Sequence, residues 1–302
     1  MKLRRKRHYR TCLVVLTAAA LAAATVPAAA TPRDPVDATL HDLVAQGFPG
    51  AVADVRDGQR VRRYVAGVAD TRTGEPARHW QRFRIASNTK AFVATVVLRL
   101  AGEGVLSLDD DVERWLPGLV RGPGYDATGN GVVAEIDRRI LTPLGLRDTY
   151  FPVTDPYLRG PHLHGYDRTG QDLSVFSPSY DWTAGAMVST VDDLAKFHRA
   201  LFDGELLAPA QQREPLAAVP VNERQAYGLG VERLTLPCPG GDRELWGNTG
   251  AGPGYYSLSF TSGERQLVTV LTAYDLGAEL RGEQPWPAGP IPVLMTTFCG
   301  TT

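Results

Sequence analysis

Ser87 and Lys90 are the residues whose types and spacing point most directly to chemistry. They stand three apart in the segment Phe83-Arg-Ile-Ala-Ser-Asn-Thr-Lys90. Residues three apart on a helix share one face, with Cβ atoms about 5–6 Å apart, so the Lys90 amine can reach the Ser87 hydroxyl. A buried lysine loses its proton more readily, and a neutral amine can activate a serine nucleophile. A plain helix start explains the same serine, because serine is a common N-cap residue.

The choice of lysine at position 90 stands out because the chain otherwise uses arginine. It contains four lysines against 28 arginines, and Lys2 and Lys6 fall within the first thirty residues. Arginine keeps its proton in proteins, whereas lysine can release it. Lysine is therefore kept at a position where deprotonation would be useful.

A second segment with chemical potential runs from Leu245 to Tyr255. Here a predicted strand leads into a glycine-rich turn that contains Asn248, Thr249, Gly250 and Ala251. Backbone donors can approach a ligand closely where side chains are absent. An ordinary hairpin accounts for the same glycines, so the segment alone predicts a binding strand or a plain turn.

The first thirty residues predict a secretory signal. A basic start precedes an apolar stretch from Cys12 to about Val26, and Ala28 to Ala30 form a small-residue cleavage site. We therefore expect an exported protein whose domain covers residues 31–302, with the export route left open. No segment reaches the roughly twenty apolar residues that a bilayer requires, which predicts no membrane span.

Charge and cysteine content narrow the classes of partner. Removing the leader leaves 26 basic and 33 acidic residues, a net charge of about −7, which argues against a nucleic-acid partner. Cys238 and Cys299 then remain, and an oxidising compartment favours a disulfide over a metal site or free thiols. No His or Cys cluster has metal spacing, and His162 and His164 are expected at the surface, so no metal site is predicted.

The order of elements predicts an α+β fold. Two early strands and several late ones should meet in one antiparallel sheet flanked by helices. The predicted strands are Ala51–Arg56, Arg60–Val68, Leu229–Leu236, Glu244–Asn248, Tyr255–Phe260 and Gln266–Ala273, and the predicted helices are Asp37–Gln46, Ala91–Ala101, Gly131–Leu141, Val191–Leu201 and Pro292–Phe298.

Taken together, these motifs resemble the penicillin-recognising serine hydrolases, in particular D-alanyl-D-alanine carboxypeptidases and class C-like β-lactamases. Further matching segments occur in the family's order, at Gly104–Val112, Trp115–Gly118, Leu141–Tyr150, Thr183–Thr190, Tyr227–Gly230 and Phe298–Gly300. The resemblance covers nearly all of residues 31–302 and implies the β-lactamase/transpeptidase-like fold.

The resemblance implies an acyl-enzyme mechanism without a metal or organic cofactor. Ser87 would be the nucleophile and Lys90 its base, and the backbone N–H groups of Ser87 and Ala251 would bind the oxyanion. Thr249 would hydrogen-bond a substrate carboxylate. The implied substrates are D-Ala-D-Ala peptides such as peptidoglycan stem peptides, β-lactams, or related small amides and esters.

The sequence departs from the family pattern in three places. The helical subdomain is truncated around residues 119–131, and Tyr125 lacks the asparagine that the family's Tyr-x-Asn motif places two residues later. Asn248 stands where relatives have lysine or histidine. Glu232 stands where carboxypeptidases can offer an arginine, and strand alternation directs Arg233 to the other face. Each change would weaken recognition of an anionic C-terminus. In addition, loss of a general acid or base typically lowers the reaction rate 10²–10⁴-fold.

Three interpretations therefore remain open from the sequence. The first is an active secreted serine hydrolase, and the second is an impaired relative that binds cell-wall peptide or a protein partner without turnover. The third is a degenerate sequence that folds poorly. The truncation is also expected to expose apolar core beside the Ser87 helix.

Overall fold

Short strands joined by tight turns make up the centre of the molecule. The computed structural model describes residues 33–110, 131–286 and 289–300. Its strands are β1 (Gly50–Asp57), β2 (Arg60–Asp70), β3 (Glu75–Pro76), β4 (Phe83–Arg84), β5 (Val188–Ser189), β6 (Val219–Asn222), β7 (Gln225–Tyr227), β8 (Glu232–Leu236), β9 (Arg243–Gly252), β10 (Tyr255–Ser262) and β11 (Arg265–Leu271). Nine of these described strands form one antiparallel sheet in the order β3-β2-β1-β11-β10-β9-β8-β7-β6, while β4 pairs with β5.

The first described strand and the last one pair with each other inside this sheet. Strand β1 pairs with β11 in a register that places Ala53 opposite Thr269, and β2 and β10 continue the sheet on either side. The turn between β1 and β2 falls at Asp57-Gly58, as predicted, and Gly58 takes φ +57°, which glycine adopts without steric cost. The predicted α+β class is confirmed.

Helices cover both faces of the sheet. They are α1 (Pro35–Ala45), α2 (Thr89–Gly102), Val132–Ile136, Thr142–Leu144, Trp182–Gly185, Val191–Phe202, Pro209–Leu216, Leu276–Leu280 and Ile291–Cys299, with 3₁₀ turns at Ala86–Asn88 and Pro178–Tyr180 and a π-helical turn at Asp137–Leu141. The Thr190 hydroxyl accepts a hydrogen bond from Asp193 N at 3.2 Å, so the predicted cap is present.

Two apolar cores result, one on each face. The first and last helices pack on one face around Leu40, Leu267 and Phe298. On the other face, α2 and helix Val191–Phe202 pack together, and the rings of Phe92 and Phe197 stack. Because α2 is enclosed on this second face, the residues at its start are held in fixed positions.

The segment Gly131–Leu141 differs from the regular helix that was predicted. An α-helix over Val132–Ile136 widens into a π-helical turn over Asp137–Leu141. Its buried face also carries charge, since Glu135 and Arg139 are nearly inaccessible and pair with each other. Apolar periodicity does not reveal a buried ion pair, which is why the pattern predicted an ordinary amphipathic helix.

The predicted disulfide joins the connection after β8 to the last helix. The Cα atoms of Cys238 and Cys299 lie 5.2 Å apart, and the bond closes a loop of 61 residues. No helix in the described ranges is long and apolar enough to cross a membrane. The predicted leader (1–30) lies outside the described residues, as does nearly all of the truncated segment (119–131).

Candidate active site

Ser87 and Lys90 meet at the start of α2. The Lys90 Nζ lies 2.7 Å from the Ser87 Oγ and 3.1 Å from the carbonyl oxygen of Ala184. The sequence placed both residues on one helix, but Ser87 belongs to the 3₁₀ turn Ala86–Asn88 and α2 begins only at Thr89. The tighter turn still brings the serine hydroxyl over the lysine amine.

The turn that carries Ser87 is held in a strained conformation. Ala86, which is buried, has φ +45°, a value that residues with a Cβ rarely adopt. Asn88 fixes the turn from within, because its Nδ2 donates to Ile85 O at 3.3 Å and to Ser257 Oγ at 3.0 Å. Such strain persists only where surrounding contacts over-determine the backbone, and it concentrates at functional sites.

The surroundings of Lys90 favour its neutral form. Burial lowers the pKa of the amine, and the nearby Asp181 carboxylate opposes this only in part. An apolar cavity of about 380 Å³ borders the amine and is lined by Val93, Val97 and Leu229 among others. The predicted neutral amine therefore has a physical basis, since there is little polar surface here to solvate an ammonium ion.

The same cavity has partly exposed apolar side chains in its lining, beside α2. Leu108 is 46 % exposed and Leu229 is 44 % exposed, and both line the cavity next to Lys90. Apolar surface next to α2 is therefore partly open among the described residues.

Two glycines bring the sheet against the start of α2. A Cβ on Gly250 would lie 2.3 Å from Ile85 O, which is two residues before Ser87. A Cβ on Gly230, which has φ +78°, would lie 2.8 Å from Lys90 O. Both positions require glycine, because any side chain would push the sheet away from the serine turn.

Thr249, Gly250 and Ala251 belong to β9, which corrects the prediction that they form a turn. Strand β9 continues to Gly252, whereas its pairing with β8 ends at Gly247. Beyond that point no described strand pairs with this edge of β9, which we call the open edge. The Thr249 N–H points to this edge, and strand alternation places the Ala251 N–H on the same side.

Asn248 supplies no positive charge to the site. Its side chain is fully buried beside Tyr227, and neither amide atom has a well-formed hydrogen bond to the described residues. Glu232 lies at the open edge of β9 and accepts a hydrogen bond from Thr249 N at 3.1 Å. Arg233 points to the other face, as predicted, over the ring of Trp246.

Sequence reasoning missed two groups that shape the site. The Ala184 carbonyl, which contacts Lys90, follows Trp182, a residue with the rare φ of +34°. The buried Arg84 guanidinium donates to the carbonyl oxygens of Pro156 and Phe176, at 2.6 and 3.0 Å, and so holds a loop against the strand before Ser87. For Arg84, the available signal in the sequence was a charged residue between the apolar residues Phe83 and Ile85.

Comparisons with known proteins show which family the chain is similar to. The family model described as Beta-lactamase matches residues 36–133 and 125–286. Esterase EstB of Burkholderia gladioli is 51 % identical over 69 residues, which are 22 % of this chain and 18 % of the esterase. The match thus covers about a fifth of that relative's length.

Solved structures extend the similarity to the whole fold. A D-stereospecific amidohydrolase from Streptomyces sp. has a TM-score of 0.75 and 27 % identity, covering 90 % of this chain and all of that one. The D-amino acid amidase from Ochrobactrum anthropi SV3 has a TM-score of 0.69 at 23 % identity, covering 80 % and 91 %, and supports the fold alone. The chain belongs to the β-lactamase family, a family of hydrolytic enzymes that includes serine amidases, esterases and peptidases.

Proposed function

We propose that this chain hydrolyses small amides, esters or peptides through an acyl-enzyme on Ser87. The observation that carries the proposal is the 2.7 Å contact between Ser87 Oγ and the Nζ of Lys90, whose pKa is lowered by burial. A neutral amine at hydrogen-bonding distance can remove the hydroxyl proton as the oxygen attacks.

Acylation then follows from the positions of the groups. Lys90 Nζ takes the proton of Ser87, Oγ attacks the carbonyl carbon, and the carbonyl oxygen becomes negative. The backbone N–H groups of Ser87 and Ala251 are the proposed donors to this oxyanion. Collapse breaks the bond to the leaving nitrogen or oxygen, which receives the proton from the Lys90 ammonium.

Deacylation repeats the cycle with water. A water molecule gives its proton to Lys90 and attacks the acyl carbon, and Ser87 leaves and regains a proton. The products are a carboxylic acid and an amine, ammonia or alcohol. Ser87 and Lys90 return to their starting states, so no cofactor enters the balance.

The finer parts of the proposal concern substrate and location. Similarity to an esterase and to a D-stereospecific amidohydrolase supports small amides and esters, with D-Ala-D-Ala peptides of peptidoglycan and β-lactams as further candidates. The leader-like residues 1–30 and the disulfide between Cys238 and Cys299 support an exported protein.

The test is hydrolysis of p-nitrophenyl acetate, D-alanine p-nitroanilide and a chromogenic cephalosporin by the purified protein. Ser87→Ala should reduce turnover by on the order of a thousandfold or more, because the covalent intermediate is lost. Ser262→Ala, at the end of β10, serves as the matched control and should keep full activity. Undiminished turnover in folded Ser87→Ala would refute the proposal, and binding without turnover in the unchanged protein would favour the impaired relative.

A further inference from the structure

Glu232 is a buried carboxylate that lacks a cationic partner. Its side chain is 4 % exposed, and its oxygens accept hydrogen bonds from Gln225 Nε2 at 2.6 Å and from Thr249 N at 3.1 Å. Both donors are neutral. No Lys, Arg or His of the described ranges lies within ion-pairing distance of it, although buried carboxylates are ordinarily paired with a cation.

This carboxylate lies at the open edge of β9, between the two points where the sheet touches the start of α2. Two residues before Glu232, Gly230 packs against Lys90 O. Its hydrogen-bond partner Thr249 precedes Gly250, which packs against the turn before Ser87. Along the strand, Thr249 N and Ala251 N are about 7 Å apart. The Glu232 carboxylate therefore lies at the same edge of β9 as the Ala251 N–H, one of the proposed oxyanion donors.

The negative charge of Glu232 affects the pKa of two nearby tyrosine hydroxyls. Burial raises the pKa of the Tyr227 hydroxyl, and the Glu232 carboxylate raises it further. Burial likewise raises the pKa of Tyr256 to about 12, again with a contribution from Glu232. Tyr227 also lines the cavity that contains Lys90. The field of this carboxylate therefore extends over the edge of the site, and Asn248 brings no charge to offset it.

We propose that Glu232 sets the charge preference of the site, so that the substrate group lying beside Thr249 is neutral or cationic, not a carboxylate. A carboxylate there would find the Thr249 N–H already occupied and would face a like charge. Unpaired charge placed against the wrong ligand is a common basis of specificity. The inference rests on the proposed hydrolase function, and within the candidate substrates it ranks peptide amides, esters and amine-bearing amides above peptides with a free C-terminus.

Three peptides identical except at the C-terminus provide the test: acetyl-D-Ala-D-Ala with a free carboxylate, with a carboxamide, and with an aminoethyl amide. Binding to Ser87→Ala protein is measured by calorimetry, which requires no turnover, and kcat/KM is measured on the unchanged protein. Repulsion by a nearby like charge in partly screened surroundings predicts carboxamide over carboxylate by on the order of tenfold to a hundredfold. The aminoethyl amide should bind at least as well as the carboxamide.

Glu232→Gln is the decisive variant, because an amide of the same shape can still accept from Thr249 N. It should abolish most of the discrimination by raising carboxylate binding tenfold or more. Glu244→Gln, an exposed carboxylate on the neighbouring strand β9, is the matched control and should leave the ratios unchanged. Thermal melting shows that each variant is folded.

The outcomes separate the two proposals. Unchanged ratios in folded Glu232→Gln, or tighter binding of the carboxylate than of the carboxamide by the Ser87→Ala protein, would overturn the role of Glu232 even if esters are hydrolysed. Charge-dependent binding that disappears in Glu232→Gln, together with no Ser87-dependent hydrolysis of any substrate, would support the binding preference and refute the hydrolase.

Discussion

Replacing Lys90 with arginine tests the proposed base most sharply. Arginine keeps length and positive charge but cannot lose its proton at any accessible pH. Lys90 Nζ lies 2.7 Å from Ser87 Oγ, within direct proton-transfer distance, so the variant removes a positioned general base. Such groups contribute typically 10²–10⁴-fold, and we expect kcat/KM for p-nitrophenyl acetate to fall by about 10³-fold.

The pH profile gives the same test a second readout. The active form is the neutral amine, so kcat/KM of the unchanged protein should rise with pH and level off above the pKa of Lys90. Burial places that pKa below the ordinary lysine value of 10.5. Between the folded-state pKa and 10.5 the unfolded chain binds more protons, so the free energy of unfolding should also rise with pH across that window.

Lys196→Arg is the control for this experiment. Lys196 pairs with Asp192 at 2.7 Å, and that contact raises the pKa of its amine, so it stays charged where Lys90 does not. Its replacement should leave rate and pH profile unchanged. A Lys90→Arg protein within about twofold of the unchanged rate, or one that keeps the same pH dependence, would refute the assignment of Lys90 as base.

Three further predictions concern stability. Reducing the bond between Cys238 and Cys299, which closes a loop of 61 residues, should lower the free energy of unfolding by about 4 kcal/mol in urea titrations, and an unchanged midpoint would contradict this. Gly250→Ala places a Cβ 2.3 Å from Ile85 O and should cost about 1–3 kcal/mol and most of the activity, whereas Gly240→Ala, with nothing within 4 Å, should be neutral. His198 is fully buried without a hydrogen-bond partner in the described structure, and burial lowers its pKa to about 3. Because the unfolded chain protonates this residue below about pH 6.5, lowering the pH from 7 to 5 should remove about 2 kcal/mol of stability, and His198→Leu should show a correspondingly smaller loss in matched urea titrations.

Local signals in the sequence were sufficient for the longer strands and the main helices and for their order, whereas the short strands β3 to β7 were not predicted. Alternating apolar residues around Asp57-Gly58 predicted the first hairpin, and Thr190 with Asp193 predicted a capped helix, because turns and caps are set by neighbouring residues. The fold class followed from the order of strands and helices. Spacing also predicted that Ser87 and Lys90 would meet, since three residues on a helical turn fix their relation.

Contacts between distant segments account for what the sequence did not reveal. The 3₁₀ turn at Ser87 depends on Asn88 bonding Ser257, which is 169 residues away. The approach of Gly250 to Ile85 and the bond from Thr249 N to Glu232 likewise exist only once the sheet has formed. No local pattern encodes these contacts, so the sequence identified Glu232 as an unusual residue without indicating what it binds.

The most direct measurement of the central claim is the location of the acyl group. The protein is incubated with a slowly released acylating substrate that carries no carboxylate, such as p-nitrophenyl pivalate, quenched, digested with trypsin and mapped by tandem mass spectrometry. Cleavage after Arg84 and Lys90 isolates the peptide Ile85-Ala-Ser-Asn-Thr-Lys90, in which fragment ions distinguish Ser87 from Thr89. We predict that the added mass lies on Ser87 and is absent in Ser87→Ala. An adduct on any other residue, or one that persists in Ser87→Ala, would contradict the account.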